Sequence, residues 1–194
     1  MSLNDHVQPL IRTRRLELHH LSVDQLVTLY DSPLDASIYH DQPFTNPHRH
    51  LVDDSGPLKW RVPQVKVDPS LNKWFVRWIV LTHSREIIGS TSFHGPPNAD
   101  GMIEIGFGIH PLFQGQGYGP EALIGMWSWA IGDADVKTLR YTVSQSNTRS
   151  MRVIEKFGFA DVGVQVDAVD GPETIFEMSS TDFERLFSID WRGA

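Results

Sequence analysis

The sequence predicts an α/β (α+β) fold with a mixed, mostly antiparallel central sheet of about seven strands flanked by helices. Residues 73–110 hold three consecutive strand-like runs separated only by turn residues, the pattern of an antiparallel meander. A glycine-rich connection then leads into residues 120–131, apolar around nearly the whole circumference, which marks a buried helix. Two further strand-like runs, 162–169 and 173–178, read as a hairpin across an Asp170-Gly171 turn.

In chain order, Ile11 to His19 alternates as one first strand. Ser22 is a capping residue for a helix carrying Leu26, Val27, Leu29 and Tyr30. Prolines at 33, 43, 47, 57, 63 and 69 leave residues 31–71 room for short helical pieces but for no long regular element. Irregular segments of this length are often binding loops, so 31–71 reads either as the wall of an acceptor site or as a variable surface excursion. Strands are expected over 73–82, 86–94 and 102–110, the 120–131 helix follows, and 139–144 is a short strand. A helix over 147–157 turns Met151, Val153, Ile154 and Phe157 inward. Thr181-Asp182-Phe183-Glu184 has a capping-box pattern and opens a last helix through Arg185, Leu186 and Phe187. There is no internal repeat and no low-complexity tract.

The length, 194 residues, suits one domain spanning 1–194. With 40% hydrophobic and 21% charged residues the composition is that of a soluble globular protein. No run approaches the roughly 18 to 20 apolar residues that span a bilayer. Asn4, Asp5, His6 and Gln8 stand where a signal peptide needs a basic end and an apolar run, so a cytoplasmic protein without a membrane partner is expected. The absence of cysteine excludes disulfides, thiolate metal sites and a cysteine nucleophile. A formal net charge of −7 argues against non-specific nucleic-acid binding. Monomer and homodimer both stay open.

The chemistry concentrates between Ile103 and Glu121, where a strand stops at Pro111 and a glycine-rich loop enters a helix. Pro120 suits a first helical turn, because its missing N–H is not needed there. Backbone N–H groups therefore point into the loop. Glycines 115, 117 and 119 let a ligand approach closely, and the positive end of the helix dipole favours an anion such as a pyrophosphate. The spacing fits neither the dinucleotide fingerprint nor a P-loop. Along the strand, Ile103, Ile105, Phe107 and Ile109 alternate onto one face and leave Glu104, Gly106, Gly108 and His110 on the other.

Gln114-Gly115-Gln116-Gly117-Tyr118-Gly119 resembles the coenzyme A loop of the GNAT (Gcn5-related N-acetyltransferase) family. Asn147-Thr148-Arg149-Ser150, followed by Glu155-Lys156-Phe157-Gly158-Phe159, is similar to the other half of that family's cofactor site. The resemblance covers most of the chain from Lys73 to Met178. The start Arg14-Arg15-Leu16-Glu17-Leu18 is loosely similar to the RimJ/RimL-like branch, which acetylates N-termini of ribosomal proteins. The resemblance implies a GNAT fold and acetyl-CoA as co-substrate. It also implies a primary amine, of a protein N-terminus or a small molecule, attacking directly in a ternary complex. Asn147 and Ser150 would lie along the pantetheine or pyrophosphate, and a backbone N–H around Phe107 to Ile109 would meet the oxyanion. Each has a plain alternative: the loop as a tight connection, Asn147 as a helix N-cap and Gly158 as a C-cap.

An amine with an ordinary pKa of about 8 to 10.4 must lose a proton before it attacks. Glu104 is the first candidate base, against the reading of a glutamate on a solvated strand face. His110 is the second, against a polar strand end. The helix tyrosine that many family members use as general acid is replaced here by Ile154, which leaves Ser144, Tyr141 or water to protonate the thiolate. His48 and His50, and the pair His19-His20, lack a third partner, so no metal site is assigned. Most tryptophans read as core, while Trp60 and Trp74 flank the 31–71 segment and are candidates for an acceptor pocket. The rival to an enzyme is a catalytically silent acyl-CoA-binding or sensor module.

Overall fold

The computed structural model describes residues 8–167 and 171–192. An eight-stranded sheet runs in the order β1 (Ile11–Arg12), β2 (Leu16–His20), β3 (Arg77–Leu81), β4 (Ile87–Phe93), β5 (Met102–Ile109), β6 (Thr138–Ser144), β8 (Gly171–Ser179) and β7 (Ala160–Asp167). Every neighbouring pair is antiparallel except β5–β6, which is parallel because the buried helix crosses between them. The three-strand meander and the antiparallel closing pair are as the sequence predicts, except that the meander's first strand begins at Arg77 because residues 69–74 form a 3-10 helix; residues 168–170 of the expected strand end and turn lie outside the described residues, and Gly171 has φ of +74°.

The sheet has one strand more than expected because the run 11–19 is broken. The Thr13 N–H donates to Leu16 O at 3.0 Å and reverses the chain, so that Ile11 pairs with Leu18. The apolar positions change parity across this reversal, Ile11 before it and Leu16 and Leu18 after it, with only polar residues 12–15 between them. The helices are α1 (Val23–Asp31), α2 (Leu58–Val67), α3 (Tyr118–Ala130), α4 (Thr148–Glu155) and α5 (Ser180–Phe187). Ser22 caps α1 through a full capping box with Gln25. For α5 the cap is Ser179, whose hydroxyl accepts from Asp182 N, two residues before the cap expected at Thr181. A ten-residue α2 also departs from the expectation for 31–71, since Pro63 lies inside it. Pro63 and Lys59 are both on the solvent side, so the carbonyl that the proline leaves without its helical partner lies on an exposed face.

Phe107 and its alternates face α3, and α5 packs beside α3 against β8. Between them Trp127, fully buried, contacts the rings of Phe157, Phe159 and Phe183 at centroid distances of 5.3, 4.9 and 5.6 Å. Trp74, expected near an acceptor pocket, lies instead in this core against Phe93 and Trp129. Beneath Trp129, the buried Arg77 donates from Nη1 to the carbonyls of Pro9 and Leu18. The opposite sheet face, with Ser90 and Ser92, is covered by α2 and the loop before it, and α1 packs on α2. No helix among the described residues is long and apolar enough to cross a membrane.

Candidate active site

The site begins where the sheet opens. β5 and β6 pair only at Met102–Thr138, Ile103–Leu139 and Glu104–Arg140. Beyond Glu104 the two strands part. The His94 N–H donates to Glu104 O and the His110 N–H to Ile88 O, each at 2.8 Å, so the peptide groups of Glu104, Gly106, Gly108 and His110 face β4. Alternation turns those of Ile105, Phe107 and Ile109 toward the gap that β6 has left. The Phe107 N–H therefore faces the notch, while Ile109 O accepts from Gln114 Nε2 at 2.8 Å.

A cavity of about 1100 Å³ fills the notch and continues beneath α2. It brings together Glu104, Phe107, His110, Ser144, Asn147 and Ser150. Ile109 and the loop residues Gln114 to Gly119 are not on its wall; the loop sits beside it at the N-terminus of α3. Glu104 points inward with a side chain 16% exposed, accepts a hydrogen bond from the Thr142 hydroxyl, and has His94 Nδ1 at 3.4 Å. Enclosure lowers the pKa of His94, an effect that the negative Glu104 opposes and that the 46% exposure of the ring tempers.

His110 has a structural role, since its Nδ1 accepts from Leu112 N at 3.4 Å and the ring stacks on His48 at 4.7 Å. Ser144 Oγ lies 2.9 Å from Ser146 Oγ. Tyr141 lines the cavity with its phenol beside Ser150, and burial pushes its pKa up to about 12. Asn147 Oδ1 caps α4 by accepting from Ser150 N at 3.1 Å, leaving its NH₂ for the cavity. Ile154, at the position of the family's tyrosine, is fully buried.

In the loop, Gly115 and Gly117 take φ of +76° and +82°, and no side chain caps the first N–H groups of α3. Arg15, clamped by Glu121 at 2.6 Å, donates to Gln116 O and lies over the Tyr118 ring. Arg149 donates to Gln114 Oε1 and ties the start of α4 to the loop. Gly119 is in contact with Phe107; a Cβ there would stand 2.7 Å from that ring. The turn, the free N–H groups and two nearby guanidiniums fit a pyrophosphate, and the open N–H of Phe107 fits an extended amide-bearing arm.

The 31–71 segment forms the far wall through His48, His50, Trp60 and Arg61. His50 Nε2 bonds Ser90 Oγ at 3.0 Å, and burial drives its pKa down to about 4. Among the described residues no three potential ligands converge as a metal site. Sequence reasoning did not single out Arg61, His94 or Thr142. For His94 the one signal is its place at the end of a strand that pairs with the Glu104 strand.

The comparisons agree with this geometry. Residues 16–160 match the family described as acetyltransferase (GNAT) domain. An uncharacterized N-acetyltransferase of Bacillus subtilis (strain 168), YjdG, is 33% identical over 97 residues. That match covers 50% of this chain and 58% of the relative, little more than half of its length. The ribosomal-protein-S5-alanine acetyltransferase of Vibrio fischeri superposes with a TM-score of 0.63 at 15% identity, over 91% of this chain and 99% of that one. The microcin C7 self-immunity acetyltransferase MccE, solved with acetyl-CoA and AMP, gives 0.59 at 18% identity over 86% and 93%. With the family match running from β2 to the start of β7, the chain belongs to the GNAT acetyltransferase family.

Proposed function

We propose that the protein is an N-acetyltransferase that moves an acetyl group from acetyl-CoA to a primary amine, of a protein N-terminus or a small molecule, in a ternary complex. The observation that carries this is the carboxylate of Glu104, held by Thr142 and His94 at the point where β5 and β6 separate. Acetyl-CoA brings an activated acetyl thioester. The loop 114–119 and the uncapped start of α3 would hold its pyrophosphate, and Asn147 with the Phe107 peptide its extended arm. Glu104 takes one proton from the incoming ammonium, the freed amine nitrogen bonds the carbonyl carbon as the carbon–sulfur bond breaks, and the second proton that this nitrogen sheds on becoming an amide passes through solvent to the departing thiolate. The Phe107 N–H donates to the carbonyl oxygen.

The thiolate leaves with hydrogen bonds rather than a strong acid. A phenol near 12 cannot transfer its proton downhill to a thiolate whose conjugate acid lies near 8.5, so Tyr141 serves as a donor and solvent completes the protonation. Purified protein mixed with acetyl-CoA and a panel of amines should release free thiol in proportion to acceptor. Saturable acetyl-CoA binding with no thiol release from any amine would instead favour the silent module.

A further inference from the structure

Arg61 projects from α2 into the cavity and is 7% exposed. Its Nη1 donates to Gln64 Oε1 at 3.0 Å and its Nε makes a long contact of 3.4 Å to Ser92 Oγ, both neutral groups. Its guanidinium carbon stands 5.5 Å from the centre of the Phe75 ring. No carboxylate among the described residues lies within ion-pair distance of it. Burial lowers its pKa to about 10, an effect that the negative Glu104 opposes, so it stays charged at neutral pH. Glu104 offsets part of this charge through space but makes no direct ion pair with it, and a buried cation so incompletely compensated is costly until a ligand brings a negative group into contact.

Arg77 is the instructive contrast. It too is buried without a carboxylate, and its Nε and Nη2 have no hydrogen-bond partner among the described residues, but its Nη1 is taken by two backbone carbonyls, its guanidinium lies over Trp129, and it is not on the cavity wall where a ligand could reach it. Of the cavity's arginines, Arg49 is bound to Asp53 at 2.7 Å. Arg61 is thus the open cation of an otherwise acidic wall that includes Asp54, Glu104 and Glu173. Such a field disfavours a dianion and suits a carboxylate that travels with an ammonium. Ser92, against Arg61, is in register with Gly106, two residues beyond Glu104, so the guanidinium and the Glu104 carboxylate face the same cavity from neighbouring positions on the sheet.

On the reading of this chain as an N-acetyltransferase, we propose that Arg61 binds a carboxylate of the acceptor. The acceptor is then a small zwitterion, an amino acid whose ammonium meets Glu104 while its carboxylate meets the guanidinium. Planar bidentate pairing favours arginine in this role.

The test uses the L-amino acids, their C-terminal amides and their decarboxylated amines. Binding is measured in the presence of coenzyme A, which permits no transfer, and turnover is followed by thiol release with acetyl-CoA. The wild type should bind and acetylate at least one free acid with kcat/KM about 100-fold above its amide. Arg61→Gln should raise KM for the acid, bring acid and amide to similar values and leave coenzyme A binding unchanged, with Arg61→Lys recovering part of the loss. If amides or simple amines are acetylated as well as acids, or if Arg61→Gln weakens all acceptors equally, the carboxylate anchor is overturned while the acetyltransferase reading survives. If no acid binds in the presence of coenzyme A, the anchor is likewise wrong. Binding of acids through Arg61 without any thiol release would uphold the anchor and overturn acetyl transfer.

Discussion

Thr142 on β6 donates its hydroxyl to Glu104 on β5, joining the two strands across the place where their backbone ladder has just ended. The bond fixes the carboxylate in the notch and leaves its second oxygen for a substrate. Glu104→Gln keeps the shape but cannot take a proton, so acetyl-CoA affinity should survive while turnover at pH 7 falls by about 10² to 10⁴. The deficit should shrink as pH rises toward the acceptor's own pKa. Full turnover of the variant at pH 7 would remove Glu104 from the mechanism.

Acetyl-CoA at about 100 times its Kd should stabilise the fold by roughly 2.7 kcal/mol, raising Tm by about 5 to 11 °C. Gly117→Val should abolish that rise. A β-branched residue opposes the φ of +82°, and its Cβ would crowd Arg15 at 3.3 Å. Gly117→Asn tolerates that φ better and should fold more stably than the valine variant. Differential scanning of the three proteins with and without acetyl-CoA decides whether the loop is a cradle or only a turn.

Gly119→Ala sets two effects against each other. Helix propensity favours alanine by about 1 kcal/mol, whereas a Cβ placed 2.7 Å from the Phe107 ring invites an overpacking cost of about 1 to 3 kcal/mol. The clash should win, with net destabilisation of up to about 2 kcal/mol in urea unfolding. Combining it with Phe107→Leu should reverse the sign, and simple additivity of the two substitutions would refute the contact.

His20 and His50 both have pKa values driven down to about 4, chiefly by burial. In the unfolded chain they titrate near 6.5, so as pH falls below that value the unfolded state takes up protons first. Their contribution is complete above pH 6.5 and is lost between 6.5 and 4, with a ceiling of about 3 kcal/mol each. Urea midpoints should be flat from pH 7 to 8 and fall steadily from 6.5 to 4.5. A midpoint unchanged across that lower window would contradict the burial of these rings.

The meander over 73–110 was legible because β-branched and aromatic runs are punctuated by turn residues, and α3 because glycine and proline announce its start. Asn147 could be read as a cap, and it is one. The break at Thr13 was missed because the flanking apolar residues Ile11, Leu16 and Leu18 suggest one strand, although their change of parity across the polar run 12–15 marks the reversal. Helix α2 was not legible either, its proline being harmless only because its turn faces water. The candidate residues of the β5 strand and the Asn147 turn were visible as motifs. Arg61 was not, because its meaning arises from Ser92, 31 residues away, and from the lack of any carboxylate paired directly with it among the described residues.

Three register pairs are a short weld for an eight-stranded sheet. Strands β1 to β5 are joined by antiparallel ladders, and so are β6 to β8, so the short parallel joint between the blocks is where thermal opening should start. Amides of the two blocks should lose exchange protection as separate groups. An extended molecule lying along the free Phe107 peptide would act as a missing rung, fastening the blocks together for the time it stays bound.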